Sequence, residues 1–185
     1  IFVSDTVFPG FVSDDFSFAP GANVSTGVRW TGLYAFTNTP TQPDNFTIQI
    51  FADVGGSPVV TPFLSLSVGS VGRTDTGIDI GGADLFEYTA NVAPLALAPN
   101  TAFWLSVFNN TAADTDDNWY WAMQDALGNS HARETPADPW MLQVPPVGNR
   151  QDFQLTGPAI PEPSILALLA MGVIGLLGCR RKRAR

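Results

Sequence analysis

Val28-Arg29-Trp30-Thr31-Gly32-Leu33-Tyr34-Ala35-Phe36 is the stretch that decides the fold class. Alternate residues Val28, Trp30, Gly32, Tyr34 and Phe36 make one face, while Arg29 and Thr31 lie on the other, which is the period of a half-buried strand. The same period repeats outward along the chain. Phe46, Ile48, Ile50 and Ala52 oppose Thr47 and Gln49; Leu64, Leu66 and Val68 oppose Ser65 and Ser67; Phe86 and Tyr88 oppose Glu87 and Thr89. Further strands are expected from Val12 to Phe18, Phe103 to Asn109, Trp119 to Gln124, Trp140 to Val144 and Phe153 to Leu155. Turn-formers separate them, among them Asn38-Thr39-Pro40, Gly55-Gly56-Ser57-Pro58, Gly81-Gly82, Pro99-Asn100 and Gly128-Asn129. Short strands so spaced predict an all-β domain over residues 1–156, an antiparallel β-sandwich of the jelly-roll kind. Residues 129–150 alternate poorly and hold Pro136, Pro139 and Pro145-Pro146, so they are expected to form a long surface excursion interrupted by one strand around Trp140.

The chain changes character after Gly157. Residues 157–163 are Pro-rich and read as a linker, 164–179 as a single hydrophobic transmembrane helix, and 180–185 as a basic cytoplasmic tail. Pro161-Glu162-Pro163 holds the chain extended, in a form a processing enzyme can thread. Ile165 to Gly178 carries no charge, and Arg180, Arg181, Lys182 and Arg183 resist passage through a bilayer, which places the body outside. The apolar run is shorter than the ~20 residues of a plain anchor and holds three glycines, at 172, 175 and 178.

Pro161-Glu162-Pro163-Ser164, then Leu166-Ala167-Leu168-Leu169 and the terminal arginines, resembles the PEP-CTERM sorting domain of bacterial secreted proteins. The resemblance is confined to residues 161–185. It implies a Gram-negative envelope protein exported by the general secretion route. Its partner would be an exosortase, a membrane protease that processes the tail near the Pro-Glu-Pro segment. The precursor would sit in the inner membrane and the product at the cell surface or in an exopolysaccharide matrix. Ile1 to Gly10 lacks the basic and long apolar regions of a signal peptide, so an export signal is expected to have preceded Ile1.

Charge narrows the partners. Before Pro161 stand 4 basic and 16 acidic residues, a net charge of −12. Nucleic acid is excluded by the missing basic footprint. Neutral glycans are expected to bind best, and anionic ones to need divalent ions. The one cysteine, Cys179, lies in the tail, so the body's stability must come from its core.

Catalytic chemistry is thin, and no catalytic residue is assigned. His131 is the sole histidine, flanked by Ser130 and Ala132 and expected in a solvated loop, and the chain has no Gly-x-Ser-x-Gly elbow. A glycosidase needs only two carboxylates, yet nothing marks a pair such as Asp53 and Glu87. Asp114, Asp116 and Asn118 alternate like the first half of a calcium loop, though Trp119 stands where a helix-loop-helix site wants glycine. Calcium is therefore the one possible cofactor. On the strand from 119 to 124, Trp119, Trp121 and Met123 face one way, with Tyr120, Ala122 and Gln124 the other. Tyr120, and Trp140 in the irregular stretch, are the candidate aromatic platforms for a polysaccharide. The expected function is a non-enzymatic structural or glycan-binding matrix component. The alternatives are a secreted carbohydrate-active hydrolase and a surface protein-binding module.

Overall fold

The computed structural model describes residues 1–6, 10–20, 24–34, 40, 42–111, 118–124, 128–143 and 150–157. These hold strands β1 (Phe2–Val3), β2 (Phe11–Phe16), β3 (Val24–Tyr34), β4 (Phe46–Ala52), β5 (Leu64–Gly69), β6 (Arg73–Ile80) and β7 (Ala83–Ala96). There follow β8 (Phe103–Asn109), β9 (Trp119–Trp121), β10 (Met123–Gln124), β11 (His131–Arg133), β12 (Met141–Leu142), β13 (Arg150–Gln151) and β14 (Phe153–Thr156). One sheet runs β1-β9-β3-β7-β6, with β14 also pairing β3; the other runs β12-β11-β2-β8-β4-β5; β10 and β13 form a separate pair. Every ladder between these strands is antiparallel. Among the described residues no helix is long and apolar enough to cross a membrane. The expected helix over 164–179, with the Pro-Glu-Pro segment and the basic cluster, lies outside them.

The two sheets face each other across an aromatic core, as the β3 pattern requires. Val28, Trp30 and Tyr34 are buried while Arg29 is exposed. Trp30 sits opposite Tyr88 in the β3–β7 ladder, and their rings stack at 5.7 Å. From the other sheet Phe46 inserts edge-on against Trp30 at 5.3 Å, Tyr88 at 4.9 Å and Trp119 at 5.0 Å. One cluster thus joins β3, β7 and β9 to β4 and β8, the antiparallel sandwich read from the alternation.

The stretch beginning at 129 corrects the sequence reading. His131–Arg133 is a strand paired with β2, and the strand near Trp140 is confined to Met141–Leu142. His131 is buried at 4% exposure, its ring edge-on to Trp104 at 4.6 Å, and is not a solvated loop histidine. Trp140, expected at the surface, is 8% exposed. Its ring meets Phe51 at 5.2 Å, its Nε1 donates to the carbonyl of Val59 at 3.1 Å, and the guanidinium of Arg133 lies 4.2 Å from its centroid. With Phe11, Phe51 and Trp104 it forms a second cluster separate from the inter-sheet core. The residues that β11 buries, His131 and Arg133, are polar, so its burial does not show as apolar alternation.

Two further departures have local causes. The run from 119 to 124 is not one strand: it breaks at Ala122, whose N–H donates to Thr31 and whose carbonyl accepts from Asp152. β6 carries no apolar alternation: its sequence, Arg-Thr-Asp-Thr-Gly-Ile-Asp-Ile, is polar and it lies exposed along a sheet edge. It joins β7 through Gly81-Gly82, both at positive φ (64° and 87°), the geometry of a two-residue hairpin turn.

Candidate functional site

A groove of about 450 Å³ opens where the ends of β2 and β14 approach the β10–β13 pair. Its apolar wall is Phe16, Phe18, Phe153 and Leu155, and its polar rim is Ser17, Gln124, Arg150 and Gln154. Sandwich periodicity places them. Phe153 and Leu155 point inward from β14, beside Trp30 and Val28 in the ladder, so Gln154 points outward. Phe16 anchors the wall, edge-on to Phe18 at 5.9 Å and to Phe153 at 6.2 Å.

The rim is held from behind. Gln124 Nε2 donates to Asp152 Oδ1 at 2.8 Å, and Asp152 Oδ2 accepts from Thr31 Oγ1 at 2.6 Å. Gln154 Oε1 accepts from Arg29 Nη2 at 2.5 Å, and Arg29 pairs with Glu87 at 3.3 Å. Arg150 Nη2 donates to the Asp15 carbonyl at 3.1 Å. Beneath lies Asp14, whose side chain is wholly buried. It accepts from the backbone N–H of Gln151 at 2.5 Å and of Asp15 at 2.8 Å, with Arg150 Nε 4.0 Å away. Burial dominates these favourable contacts and pushes the Asp14 carboxyl up to about 7. Amides whose orientation is fixed, set beside an aromatic wall, can hydrogen-bond hydroxyls while a flat apolar ring face packs against the aromatics.

The residues singled out in the sequence do not meet at this groove. Tyr120 is half-buried and packs against Leu33, Ala83, Leu85 and Ala122, apart from the inter-sheet core. Trp140 belongs to the cluster beside the second sheet. Asp114 and Asp116 lie outside the described residues, and Asn118 is half-buried just before β9. The buried carboxylate of Asp5 accepts from Thr111 Oγ1 at 2.5 Å and from the N–H of Trp119 at 3.0 Å, and so links the described residues on either side of 112–117. Among the described residues no group of three His, Cys, Asp or Glu side chains could hold a metal ion. Asp53 accepts from Trp104 Nε1 at 2.8 Å and Glu87 pairs with Arg29, so each has a separate partner. A buried polar knot, in which Tyr34 donates to Asp44 and Asn109 donates to both, links β3 to β8. Burial raises the pKa of both Tyr34 and Asp44.

Comparison with known proteins bears on the two ends of the question separately. The PEP-CTERM protein-sorting motif matches residues 159–182. The tail carries a PEP-CTERM sorting motif. That motif implies export and processing by an exosortase, and it covers the Pro-Glu-Pro segment, the apolar run and most of the basic cluster. For the body in front of the PEP-CTERM tail, no curated protein gives a match. Among solved structures, the cysteine protease and lectin-like domains of Cwp84, a surface layer associated protein of Clostridium difficile, resemble it with a TM-score of 0.50 at 12% identity. The likeness spans 80% of this chain and 33% of that one, and is one of fold.

Proposed function

We infer that this is an exported envelope protein whose sandwich binds polysaccharide in an extracellular matrix, without catalysing a reaction. The groove carries that reading: an aromatic wall and amides locked from behind suit the binding of sugar rings. A hydrolase would need two carboxylates facing its substrate. Among the described residues, the side chains lining this groove are aromatic, aliphatic, amide, hydroxyl and guanidinium, which favours binding over hydrolysis. The name of the Cwp84 fold neighbour, with its lectin-like and surface-layer terms, is consistent with this role. Consecutive strands pass repeatedly from one sheet to the other, which supports the jelly-roll description.

The PEP-CTERM tail supports a life history for the chain. A precursor is held in the inner membrane by residues 164–179 with 180–185 in the cytoplasm, and exosortase cleavage then delivers the body to the cell surface or matrix. Calcium at Asp114, Asp116 and Asn118 is a separate proposal; a melting temperature that is the same in calcium and in chelator would dismiss it. One observation favours a second reading, a protein-binding module: β6 lies at a sheet edge with Ile78 and Ile80 exposed. Affinity electrophoresis of the full chain through gels containing different exopolysaccharides separates the readings. Retardation by at least one glycan supports the matrix role, and free migration through all of them leaves the protein-binding module.

A further inference from the structure

The groove's charge runs against that of the body. Four basic residues face sixteen acidic ones before Pro161, yet among the described residues the only charged side chain lining the groove is Arg150. We propose that the groove takes a glycan that carries carboxylates, a uronic-acid polymer, and seats one carboxylate on the guanidinium of Arg150. The inference rests on the glycan-binding reading above and names its ligand class.

Three features of the site carry it. Arg150 is only partly spent on the protein: Nη2 bonds the Asp15 carbonyl, Nε lies 4.0 Å from Asp14, and Nη1 has no partner among the described residues. Its side chain remains 40% exposed, so it can meet a ligand without losing its hydration entirely beforehand. Secondly, the nearest acid does not neutralise it at contact. Both oxygens of Asp14 are already turned to backbone N–H groups, Oδ1 to Asp15 and Oδ2 to Gln151, and its side chain is sealed from solvent. Thirdly, the neighbouring amides are fixed. Arg29 occupies Gln154 Oε1 and Asp152 occupies Gln124 Nε2, which leaves a donor on Gln154 and an acceptor on Gln124 for hydroxyls beside the carboxylate. A guanidinium matches a carboxylate with two parallel bonds, whereas a neutral sugar offers it only single hydroxyls.

This reverses the expectation drawn from the body's net charge of −12, that neutral glycans bind best and anionic ones need divalent ions. At physiological ionic strength repulsion between exposed charges fades over ~8 Å, so distant carboxylates slow the approach more than they weaken the contact.

Calorimetry on the full chain in non-ionic detergent and chelator tests the proposal, with trigalacturonate and its carboxyl-reduced counterpart as probes. The uronate should bind at least about tenfold more tightly than the neutral trisaccharide, and Arg150→Gln should erase the difference. Equal binding of the two probes overturns the inference and leaves glycan binding intact, whereas binding of neither overturns both. Retained uronate preference in Arg150→Gln removes the assignment to Arg150. If that variant fails to fold, Ser17→Glu on the exposed rim reports instead: it should weaken uronate binding about tenfold more than it weakens the neutral probe, and unchanged uronate binding or an equal loss for both probes overturns the proposal.

Discussion

Trp119 occupies the space of a side chain at Gly32: a β-carbon there would stand 2.3 Å from Cζ2 of the indole. Gly32 lies in β3 on the buried face with Trp30 and Tyr34, and Trp119 pairs with Tyr34 in the next strand. The core thus fits three large rings, Trp30, Tyr88 and Trp119, around Phe46 because one position contributes no side chain. Gly32→Ala should destabilise the body by about 1–3 kcal/mol through overpacking, read as a lower urea midpoint. An unchanged midpoint would mean that Trp119 moves aside freely.

Trp140→Ala should behave as a core truncation and cost about 3–5 kcal/mol. Its ring contacts Phe51 and Arg133, and its N–H holds Val59. Glycan affinity of the folded fraction should not change, since this cluster does not line the groove. A variant that melts like the wild type but loses glycan would reverse both statements.

Asp14 makes stability depend on pH with a definite sign. Its carboxyl titrates near 3.8 when unfolded and at about 7 when folded, because burial disfavours the charge. The folded chain therefore holds an extra proton between those values. The stabilisation is full below the lower value and is lost as pH rises through the upper one. Asp14→Asn should flatten the fall in melting temperature across this window, while lowering it below about pH 4 because one of the two backbone N–H groups loses its acceptor. Identical pH profiles for the two proteins would contradict the assignment.

Replacing Pro161, Glu162 and Pro163 by alanine should leave a membrane-bound precursor with a folded body. Immunoblots of membrane and medium fractions decide this, and normal release of the triple variant would contradict processing at that motif.

Much of the scaffold was legible because half-buried strands write their burial as alternation. Phe46–Ala52 and Phe103–Asn109 were read to the residue, and the sorting motif stood out by its order and position. The layer around His131 and Trp140 was not legible, because the residues that β11 buries, His131 and Arg133, are polar, and the prolines nearby mimic a loop. The groove was hidden for another reason. Phe18, Gln124 and the pair Arg150 and Phe153 come from three separate stretches, and only the closing of β14 onto β3 next to the β10–β13 pair brings them together. The one available signal was Arg150, a rare cation in an acidic body.

Hydrogen exchange of the full chain, with and without the polysaccharide that retards it, tests the central claim most directly. The account predicts ligand-dependent protection at residues 16–18, 124 and 150–155, with β6 and the Trp140 cluster unchanged. Protection confined to β6 or to the strand around Tyr120, with the groove exchanging as before, would contradict it.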